Sequence, residues 1–443
     1  MARFKKGDDL DQQYLLPPSV RDWLPQDHLA WYIHDAVESL DSDQLLDRYR
    51  VCGKGELAYD PRMMLRVLIY AYCTGVFSSR KIAKQLEDSV PFRVLAANQM
   101  PDHRTICRFR AEHVDLFESF FVQVVQLASA AGLVKLGTVA VDGSKVKANA
   151  SKRRAMSYSR MKSEEKRLRA EIRRITEMAK GIDKEEDELF GPDFRGDELP
   201  AELSNRESRL KVIQEAKKRL EERKAEEDKR NDEEKARKAK EEGRELREAR
   251  YRKHPKGKPL PKDQENFTDP DSRIMKDSGR FEQCYNAQVA VDKTEQLIVA
   301  NGVTNNAADV AQLIPMAEKA MANTSKPIRR LLADAGYRSE QNFDQLENAQ
   351  IDGFVSVSKE GRESSKTDSQ RQATARMKRK LGTKRGRGWY RQRKYIVEPV
   401  FGWIKNVIGF RTFSMRGTVK TTGEWNLICL ATNLRRLHGR LAL

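Results

Sequence analysis

The sequence is poor in the residues that build metal clusters and disulfide scaffolds. Its 443 residues include five cysteines and six histidines. The cysteines lie far apart, without CxxC or Cys/His spacing, so we expect neutral or buried thiols in a reducing compartment and neither a zinc site nor a disulfide framework. They are Cys52, Cys73, Cys107, Cys284 and Cys429.

Long apolar segments are also missing. No run approaches the roughly 20 residues that cross a bilayer, and the start, MARFKKGDDLDQQYLL, lacks the apolar core of a signal peptide. We therefore expect a soluble intracellular chain. Phosphate loops are disfavoured too, because GKGE at Gly53 and GTKRGRG at Gly382 lack the strand-then-helix context of such loops.

Charge is abundant. Charged residues make up 34% of the chain, and its formal net charge is +18. This excess predicts a polyanionic partner, most simply nucleic acid. The alternative is a basic protein whose charge serves only solubility.

Three acids follow or begin apolar segments. GTVAVDGSKVK is a β-branched run that reaches Asp142 and then turns basic, and RRLLADAGY is a similar run that closes on Asp334. IVEPVFGWIK places Glu398 at the predicted start of an amphipathic helix. Carboxylates at strand ends are a common way to present metal ligands, so we predict that these three acids meet in space.

Such a group has a defined chemistry. Clustered carboxylates repel one another unless a cation offsets their charge, and Mg²⁺ or Mn²⁺ prefers these hard oxygen ligands. Two such ions about 4 Å apart could activate a water or hydroxyl and stabilise the leaving oxygen of a phosphodiester. Other acids are poorer candidates: Asp102 is predicted to cap a helix, Asp292 to sit at a hairpin turn, and Asp309 and Glu318 to lie on solvent-facing helix surfaces.

Residues 1–135 are predicted to form helices. Asp60-Pro61 starts one, Ser78 or Ser79 the next, and Asp102 a third whose apolar stripe runs on to Leu127. The short helices favour a helix-turn-helix-like DNA reader, although a helical packing domain with a basic face fits equally well. The basic residues assigned to polar faces are Arg80, Lys81, Lys84, Arg104, Arg108 and Arg110.

Residues 151–265 are predicted to form a charged helical insertion. Leu168 and Ile172 mark one long helix, a break follows from Gly181 to Pro200, and Ile213 and Leu220 mark a second helix. Opposite charges at i and i+4 support a coiled-coil-like arm. The alternative over residues 221–253 is a solvated helix without a partner.

Residues 136–150 and 266–443 are predicted to form a sheet-containing domain. CYNAQVAVD and QLIVANGVT predict an antiparallel hairpin, which is followed by helix and strand in alternation, so we expect an α/β fold with a mixed sheet. A basic stretch then interleaves lysines and arginines with Trp389 and Tyr390, as phosphate contact and base stacking require. A solvated loop is the alternative there.

These motifs resemble the DDE-type transposases of bacterial insertion sequences, in the branch with an InsH-like N-terminal domain. VAVDGSKVKANAS resembles the first acidic motif of that family, LLADAGYRS the second, and YIVEPVFGWIKNVIGFRTFSMRG the third. DPRMMLRVLIYAYCTGVFSSRKIA and PDHRTICRFR resemble its N-terminal domain.

The resemblance implies a ribonuclease-H-like catalytic domain with its two aspartates on neighbouring strands and its glutamate on a following helix. Asp142, Asp334 and Glu398 would then be the catalytic and metal-binding triad, with two Mg²⁺ or Mn²⁺ ions per site. Lys394 and Arg391 stand where the family signature has arginine and tyrosine, and Lys405 matches its DNA-contacting lysine. The DNA-contacting candidates are Lys145, Lys147, Arg391, Arg393, Lys394, Lys405 and Arg411.

The function that this resemblance implies is cleavage at the terminal inverted repeats of a mobile element and transfer of the 3′-hydroxyl ends into target DNA, in the bacterial cytosol or nucleoid. A dimer or larger assembly is expected, since two ends are processed together. Two alternatives remain at this point: a non-catalytic DNA-binding protein derived from a transposase, and a metal-dependent nuclease that never joins strands.

Overall fold

The computed structural model describes residues 19–49, 57–190, 201–241, 255–277, 279–357 and 372–441. The α-helices among these residues are α1 (Leu29–Ser39), α2 (Asp43–Leu46), α3 (Pro61–Cys73), α4 (Ser79–Asp88), α5 (Val90–Leu95), α6 (His103–Glu112), α7 (Phe117–Ala130), α8 (Tyr158–Phe190), α9 (Ala201–Glu241), α10 (Leu313–Thr324), α11 (Glu340–Asn348), α12 (Gln372–Gly382), α13 (Lys384–Gly402) and α14 (Thr418–Leu441). Within the described ranges, no helix is both long and apolar enough to cross a membrane.

The strands are β1 (Val139–Lys147), β2 (Ala155–Ser157), β3 (Gln264–Asn266), β4 (Arg273–Asp277), β5 (Arg280–Asp292), β6 (Ile298–Thr304), β7 (Arg330–Ala333) and β8 (Asp352–Val355). The chain divides into two compact units, one of Met1–Val146 with Asn286–Leu443 and one of Lys147–Tyr285. The predicted mixed α/β class is confirmed. The division into three domains stays a prediction.

The sheet of the first unit is mixed, as the sequence predicts. Its strands lie in the order β5, β1, β7, β8, and β6 also pairs with β5. The β5–β6 hairpin is antiparallel, whereas β7 pairs in parallel with both β1 and β8. Because parallel strands end at the same edge of a sheet, the residues that follow β7 and the paired part of β1 come together there.

Helix starts in the first unit follow the capping signals of the sequence. The Asp60 carboxylate accepts a hydrogen bond from the Arg62 backbone N–H before Pro61 opens α3, and Asp102 accepts one from Thr105 at the start of α6. The prediction of one continuous stripe to Leu127 is wrong. The chain leaves the helix between α6 and α7, and Leu127 is exposed.

Arg110 does not lie on a polar face, and this part of the prediction is wrong. Its guanidinium is buried and donates to the Tyr72 hydroxyl at 3.0 Å and to the Phe77 carbonyl at 2.7 Å. The Tyr72 hydroxyl in turn donates to the buried Glu424 carboxylate at 3.0 Å. Arg80, Lys81, Lys84, Arg104 and Arg108 are exposed, as predicted.

Arg110→Met should lower the free energy of unfolding by about 2 kcal/mol, since it leaves buried oxygens without a donor and Glu424 without its nearby cation. Arg108→Met is the matched control, because it removes an exposed arginine from the same helix and should change stability by less than about 0.5 kcal/mol. Urea denaturation followed by circular dichroism measures both. Equal losses in the two variants would show that the buried network contributes nothing.

Helix α14 packs against the sheet. The side-chain amide of Asn433 donates to the Ile298 carbonyl at 2.8 Å and accepts from the Ile298 N–H at 2.9 Å, which joins α14 to the backbone of β6. The indole N–H of Trp425 donates to the Gln288 carbonyl at 3.1 Å. These bonds satisfy backbone groups of the buried sheet and fix α14 on one of its faces.

The second unit has its own small core between α8 and α9. Met156, Met161, Leu168, Ile213 and Ala216 form that cluster. Ion pairs connect the two helices beside it, with N–O distances of 2.9 Å for Lys217–Glu165, 3.1 Å for Arg206–Glu171 and 3.2 Å for Arg209–Glu164. The coiled-coil-like arm stays a prediction.

The predicted break after α8 and the predicted partnerless charged helix in this unit differ from the structure. Helix α8 does not break at Gly181 but continues to Phe190, and the rest of the predicted break lies outside the described residues. The charged part of α9 does have partners, because Lys256 pairs with Asp232 at 2.6 Å and the Gly257 N–H donates to Asp228 at 2.9 Å. The rest of the predicted solvated stretch lies within residues 242–254, which are outside the described residues.

The basic stretch after β8 is helical over its described part. Residues 358–371 lie outside the described residues, and α12 and α13 follow. The sequence predicted Glu398 at the start of a helix, and this prediction is wrong. Glu398 lies near the end of α13. The helix begins far upstream, at a Thr383 cap that accepts from the Gly386 N–H at 2.9 Å.

Candidate active site

The sheet places Asp142 and Asp334 side by side. Strands β1 and β7 pair in parallel through Val139↔Leu331, Ala140↔Leu332 and Val141↔Ala333, and the two acids are the next residue on each strand. Adjacent strands lie about 4.8 Å apart, and equivalent register positions share a face. Asp142 does not end its strand as predicted, since β1 continues to Lys147.

Short local hydrogen bonds orient both carboxylates. The Gly143 N–H donates to Asp142 Oδ1 at 2.9 Å, and the Gly336 N–H donates to Asp334 Oδ1 at 2.8 Å. Asp334 thereby caps the turn Ala335–Tyr337 that follows β7. These bonds hold both carboxylates at the sheet edge that follows the paired residues of β1 and β7.

Asp309 joins these two acids, contrary to its predicted place on a solvent-facing helix. The residue precedes the turn Val310–Gln312, and α10 starts only at Leu313. Its Oδ1 lies 3.3 Å from the Lys145 ammonium. The prediction is wrong because the polar run VTNNAAD forms the end of β6 and a turn, in which the Asn306 side chain accepts from the Ala308 N–H. Glu318 is exposed, as predicted.

The electrostatics of the cluster follow from this proximity. Burial raises the pKa of the Asp142 carboxyl to about 6; the Arg393 guanidinium opposes that rise, and the charges of Asp334 and Asp309 add to it. The pKa of the Tyr337 hydroxyl, buried behind the acids, is also raised well above its usual value, by burial and then by the charge of Asp142. Burial is thus the main cause of both shifts, and the neighbouring carboxylates add to each.

Helix α13 reaches the cluster through Arg393. One guanidinium nitrogen lies 3.0 Å from Asp142 Oδ2, and the arginine side chain is 10% exposed. A π-helical turn, Trp403–Val407, extends the helix, and there the Lys405 ammonium donates to the Lys145 carbonyl at 2.9 Å. Both Arg393 and Lys405 thus contact β1 close to Asp142.

Glu398 lies on α13 between these two contacts. Its side chain is exposed, so the structure brings Asp142 and Asp334 together, but shows Glu398 on the solvent side of the helix that passes them. Among the described residues, no three His, Cys, Asp or Glu side chains are grouped closely enough to hold a metal ion. In this arrangement Arg393 pairs with Asp142 Oδ2, and Lys145 pairs with Asp309 Oδ1.

The donor chemistry of the cluster suits a divalent cation. Its acids offer hard oxygen ligands, which Mg²⁺ and Mn²⁺ prefer. Burial is the main cause of the raised pKa of Asp142, and the neighbouring charges of Asp334 and Asp309, which a bound cation would offset, add to it. The type of ligand atom therefore matches a divalent ion.

Two models of known families match this chain. A model described as "Transposase DDE domain" matches residues 265–434, and one described as "Transposase domain (DUF772)" matches residues 18–112. The two matches together cover more than half of the chain. The chain belongs to the DDE transposases. The first match includes Asp309, Asp334 and Glu398, and it begins after Asp142. No curated protein and no solved structure matches the transposase.

The DNA-contacting candidates of the transposase occupy different environments. Arg391 and Lys394 are exposed on α13, and Arg411 is exposed after it, with its guanidinium bound to the Lys405 carbonyl and to Asn406. Lys147 belongs to the second unit, where its ammonium lies 4.0 Å from Glu282. Their contact with DNA stays a prediction.

The two aromatic residues of the basic stretch were assigned to base stacking, and one of them has partners within the protein. The Arg330 guanidinium lies 4.0 Å from the centroid of the Trp389 ring, and the Lys293 ammonium lies 5.3 Å from it. Trp389 therefore stabilises the contact between α13 and the sheet. Tyr390 is half-buried.

Proposed function

We propose that the transposase cleaves the ends of its mobile element with water as nucleophile and then joins the 3′-hydroxyl ends to target DNA. The observation that carries this proposal is the register match of Asp142 and Asp334 on adjacent parallel strands. Family membership supplies the substrate class, because transposases act on DNA. The net charge of +18 supports a polyanionic partner.

We assign the catalytic triad to Asp142, Asp334 and Glu398, on a ribonuclease-H-like core. The neighbouring strands β1 and β7, followed by α13, support that assignment. Glu398 is included because contacts on both sides of it, from Arg393 and Lys405, tie its helix to β1. The carboxylates would bind two Mg²⁺ or Mn²⁺ ions, which supply charge neutralisation at the phosphodiester and lower the pKa of the attacking water or hydroxyl.

The chain's own residues then have defined tasks. Asp142 and Asp334 hold their oxygens at the sheet edge through the Gly143 and Gly336 N–H bonds. Lys145, Lys147, Arg391, Arg393, Lys394, Lys405 and Arg411 would contact DNA phosphates. We further propose that the terminal inverted repeats are the sites bound and that at least two copies act together, since two ends must be processed.

The experiment uses the inverted repeats that flank the gene. Purified protein is incubated with this DNA and a target duplex, with and without Mg²⁺, and cleaved and joined products are resolved on a denaturing gel. Cleavage followed by joining, both dependent on Mg²⁺, supports the proposal. Cleavage without joining would identify a nuclease instead, and binding without either product would identify a DNA-binding protein.

Lys405→Met should weaken binding of end DNA by about fivefold to tenfold at low salt, because it removes one phosphate contact, and should reduce the salt dependence of the affinity by about one unit of slope. Fluorescence anisotropy over a salt series measures both quantities. Lys420→Met is the matched control, since it removes the same charge from an exposed site on α14. Identical salt slopes in the two variants would remove Lys405 from the DNA interface.

A further inference from the structure

The second unit contains β4 and the first residues of β5, which form a hairpin with one buried and one exposed face. Met275 and Cys284 are buried on the first face. On the other face, Lys276 lies opposite Phe281, and Ile274 lies two residues before Lys276. Phe281 is 60% exposed and Ile274 is 37% exposed. The exposed face therefore displays an aromatic ring and an aliphatic side chain together.

The Phe281 ring is not covered by another part of the chain, which distinguishes it from the ring of Trp389. A guanidinium and an ammonium lie 4.0 Å and 5.3 Å from the centroid of the Trp389 ring. Within the ranges that the structure describes, no aromatic ring or cation lies over Phe281. Its surface is therefore open to a stacking partner.

Basic residues with exposed side chains accompany this ring, on β4, at the start of β5 and on the turn Lys152–Arg154 that follows β1. The Lys152 ammonium lies 3.5 Å from the Phe281 carbonyl oxygen, which places that turn beside the hairpin. None of these cations forms an ion pair with an acid among the described residues. They are Lys152, Arg153, Arg154, Lys276 and Arg280.

This lack of acidic partners is not a general property of the second unit. On α9, the Lys217 ammonium lies 2.9 Å from Glu165, and the Arg219 guanidinium lies 2.9 Å from Glu265. The helices thus compensate much of their own charge, whereas the hairpin and the turn beside it present positive charge to solvent. An uncompensated basic surface attracts a polyanion.

A cavity of about 290 Å³ borders the same exposed face. Ile274 and Gln283 line it from the hairpin, and Lys262 and Gln264 line it from the segment that leads into β3. Most of its lining residues are polar, so an apolar protein surface placed over it would leave polar groups without partners. Nucleotides offer polar edges as well as flat rings and suit such a lining.

We propose that this face, formed by Ile274, Lys276 and Phe281 together with the turn Lys152–Arg154, binds DNA that has unpaired bases. The cations contact phosphates, and a base stacks on the Phe281 ring. Paired bases in a duplex already stack on one another, so the ring gains a partner only where bases are unpaired. The inference rests on the proposed function, which makes DNA the partner, and it does not involve the catalytic acids.

A second copy of the chain is the competing occupant of this face. In a symmetric dimer the same surface patch of each copy would meet, which would bring the unpaired cations of both copies together. Like charges at such an interface oppose association. DNA phosphates carry the opposite charge, and the charge of the face therefore favours DNA.

The stacking contact is tested with the full chain and a fluorescein-labelled oligothymidylate of about 12 nucleotides, by fluorescence anisotropy in EDTA. Phe281→Leu keeps an apolar side chain and removes the ring, so it should weaken binding about tenfold without changing the salt dependence. Phe281→Trp should bind at least as tightly as wild type. Val419→Ala, which shortens a side chain on α14 that is 74% exposed, is the control and should match wild type.

The phosphate contacts are tested by the salt dependence of the same affinity. Lys276→Gln should lower the slope of log affinity against log salt by about 0.7, the value for one phosphate contact on a single strand. Lys218→Gln is the matched control in the same unit, because the Lys218 ammonium lies 3.8 Å from Glu222 and its charge is already compensated. Its slope should equal that of wild type.

Wild-type affinity of Phe281→Leu for the oligothymidylate overturns the inference. If circular dichroism shows that Phe281→Leu does not fold, a wild-type salt slope in Lys276→Gln overturns it instead. A dimer that forms without DNA in sedimentation velocity and that Phe281→Ser dissociates would assign the face to a second copy and also overturn it. Each of these results leaves the proposed function standing if wild type cleaves end DNA with Mg²⁺. A wild-type protein that binds neither the oligothymidylate nor end DNA overturns both.

Discussion

Asp142→Asn should lower Mg²⁺-dependent cleavage of end DNA about a thousandfold, which corresponds to about 4 kcal/mol of lost transition-state stabilisation. The amide keeps the size and hydrogen-bonding oxygen of the side chain but loses the charge that a divalent ion needs. DNA affinity in EDTA should stay within about twofold of wild type, because phosphate contacts by basic residues dominate affinity. Single-turnover cleavage assays and anisotropy measure the two quantities.

The fold should tolerate this change. Burial raises the pKa of Asp142 to about 6, above its ordinary value of 3.8, so ionisation of this carboxyl becomes a cost to stability as the pH rises from about 4 to above 6. At neutral pH the uncharged amide should therefore leave the thermal unfolding temperature equal or higher. Glu318→Gln serves as the control with full activity. Cleavage at the wild-type rate in Asp142→Asn would remove this residue from the active site.

Gly423→Ala should lower the free energy of unfolding by at least about 3 kcal/mol, at the upper end of overpacking effects. The added methyl group would lie 2.2 Å from a side-chain carbon of Val114 and 2.3 Å from its backbone carbonyl oxygen. Backbone atoms cannot move aside as a flexible side chain can, so α14 must shift from the position where Asn433 and Trp425 bond to the sheet. Chemical denaturation measures the loss.

Gly439→Ala is the matched control on the same helix. A methyl group there would meet no atom within 4 Å. Alanine has a higher helix propensity than glycine by up to about 1 kcal/mol, so stability should be unchanged or slightly higher. A small effect of Gly423→Ala, comparable to that of Gly439→Ala, would mean that α14 does not pack closely against the segment at Val114.

Local signals predicted the sheet well. The β5–β6 hairpin followed from alternating apolar residues, and the α3 and α6 starts followed from Asp60 and Asp102, because both kinds of signal depend on neighbours in sequence. The sequence also predicted that Asp142 and Asp334 meet in space, and the resemblance to DDE transposases implied neighbouring strands for them. The parallel pairing of β1 and β7 places the two acids directly after paired residues. Arg110 was misplaced because its partner Tyr72, and the Glu424 carboxylate to which Tyr72 donates, are distant in sequence.

Asp309 shows the limit of sequence patterns more clearly. Its neighbours in sequence suggested a helix, whereas its partners Lys145, Asn286 and Gln288 come from other strands. A signal did exist in CYNAQVAVD, where two polar residues alternate within an otherwise apolar buried strand. Such a pair indicates a polar group to be bound on that face, but the sequence alone does not identify the group.

The central claim is that Asp142 and Asp334 bind a divalent ion at the edge of the sheet for phosphoryl transfer. A crystal structure of the transposase with end DNA and Mn²⁺, with anomalous diffraction data to locate the ion, tests it most directly. The account predicts an anomalous peak about 2.2 Å from an oxygen of each aspartate, with the Arg393 contact to Asp142 displaced. Bound DNA with Mn²⁺ located only away from both aspartates would contradict it.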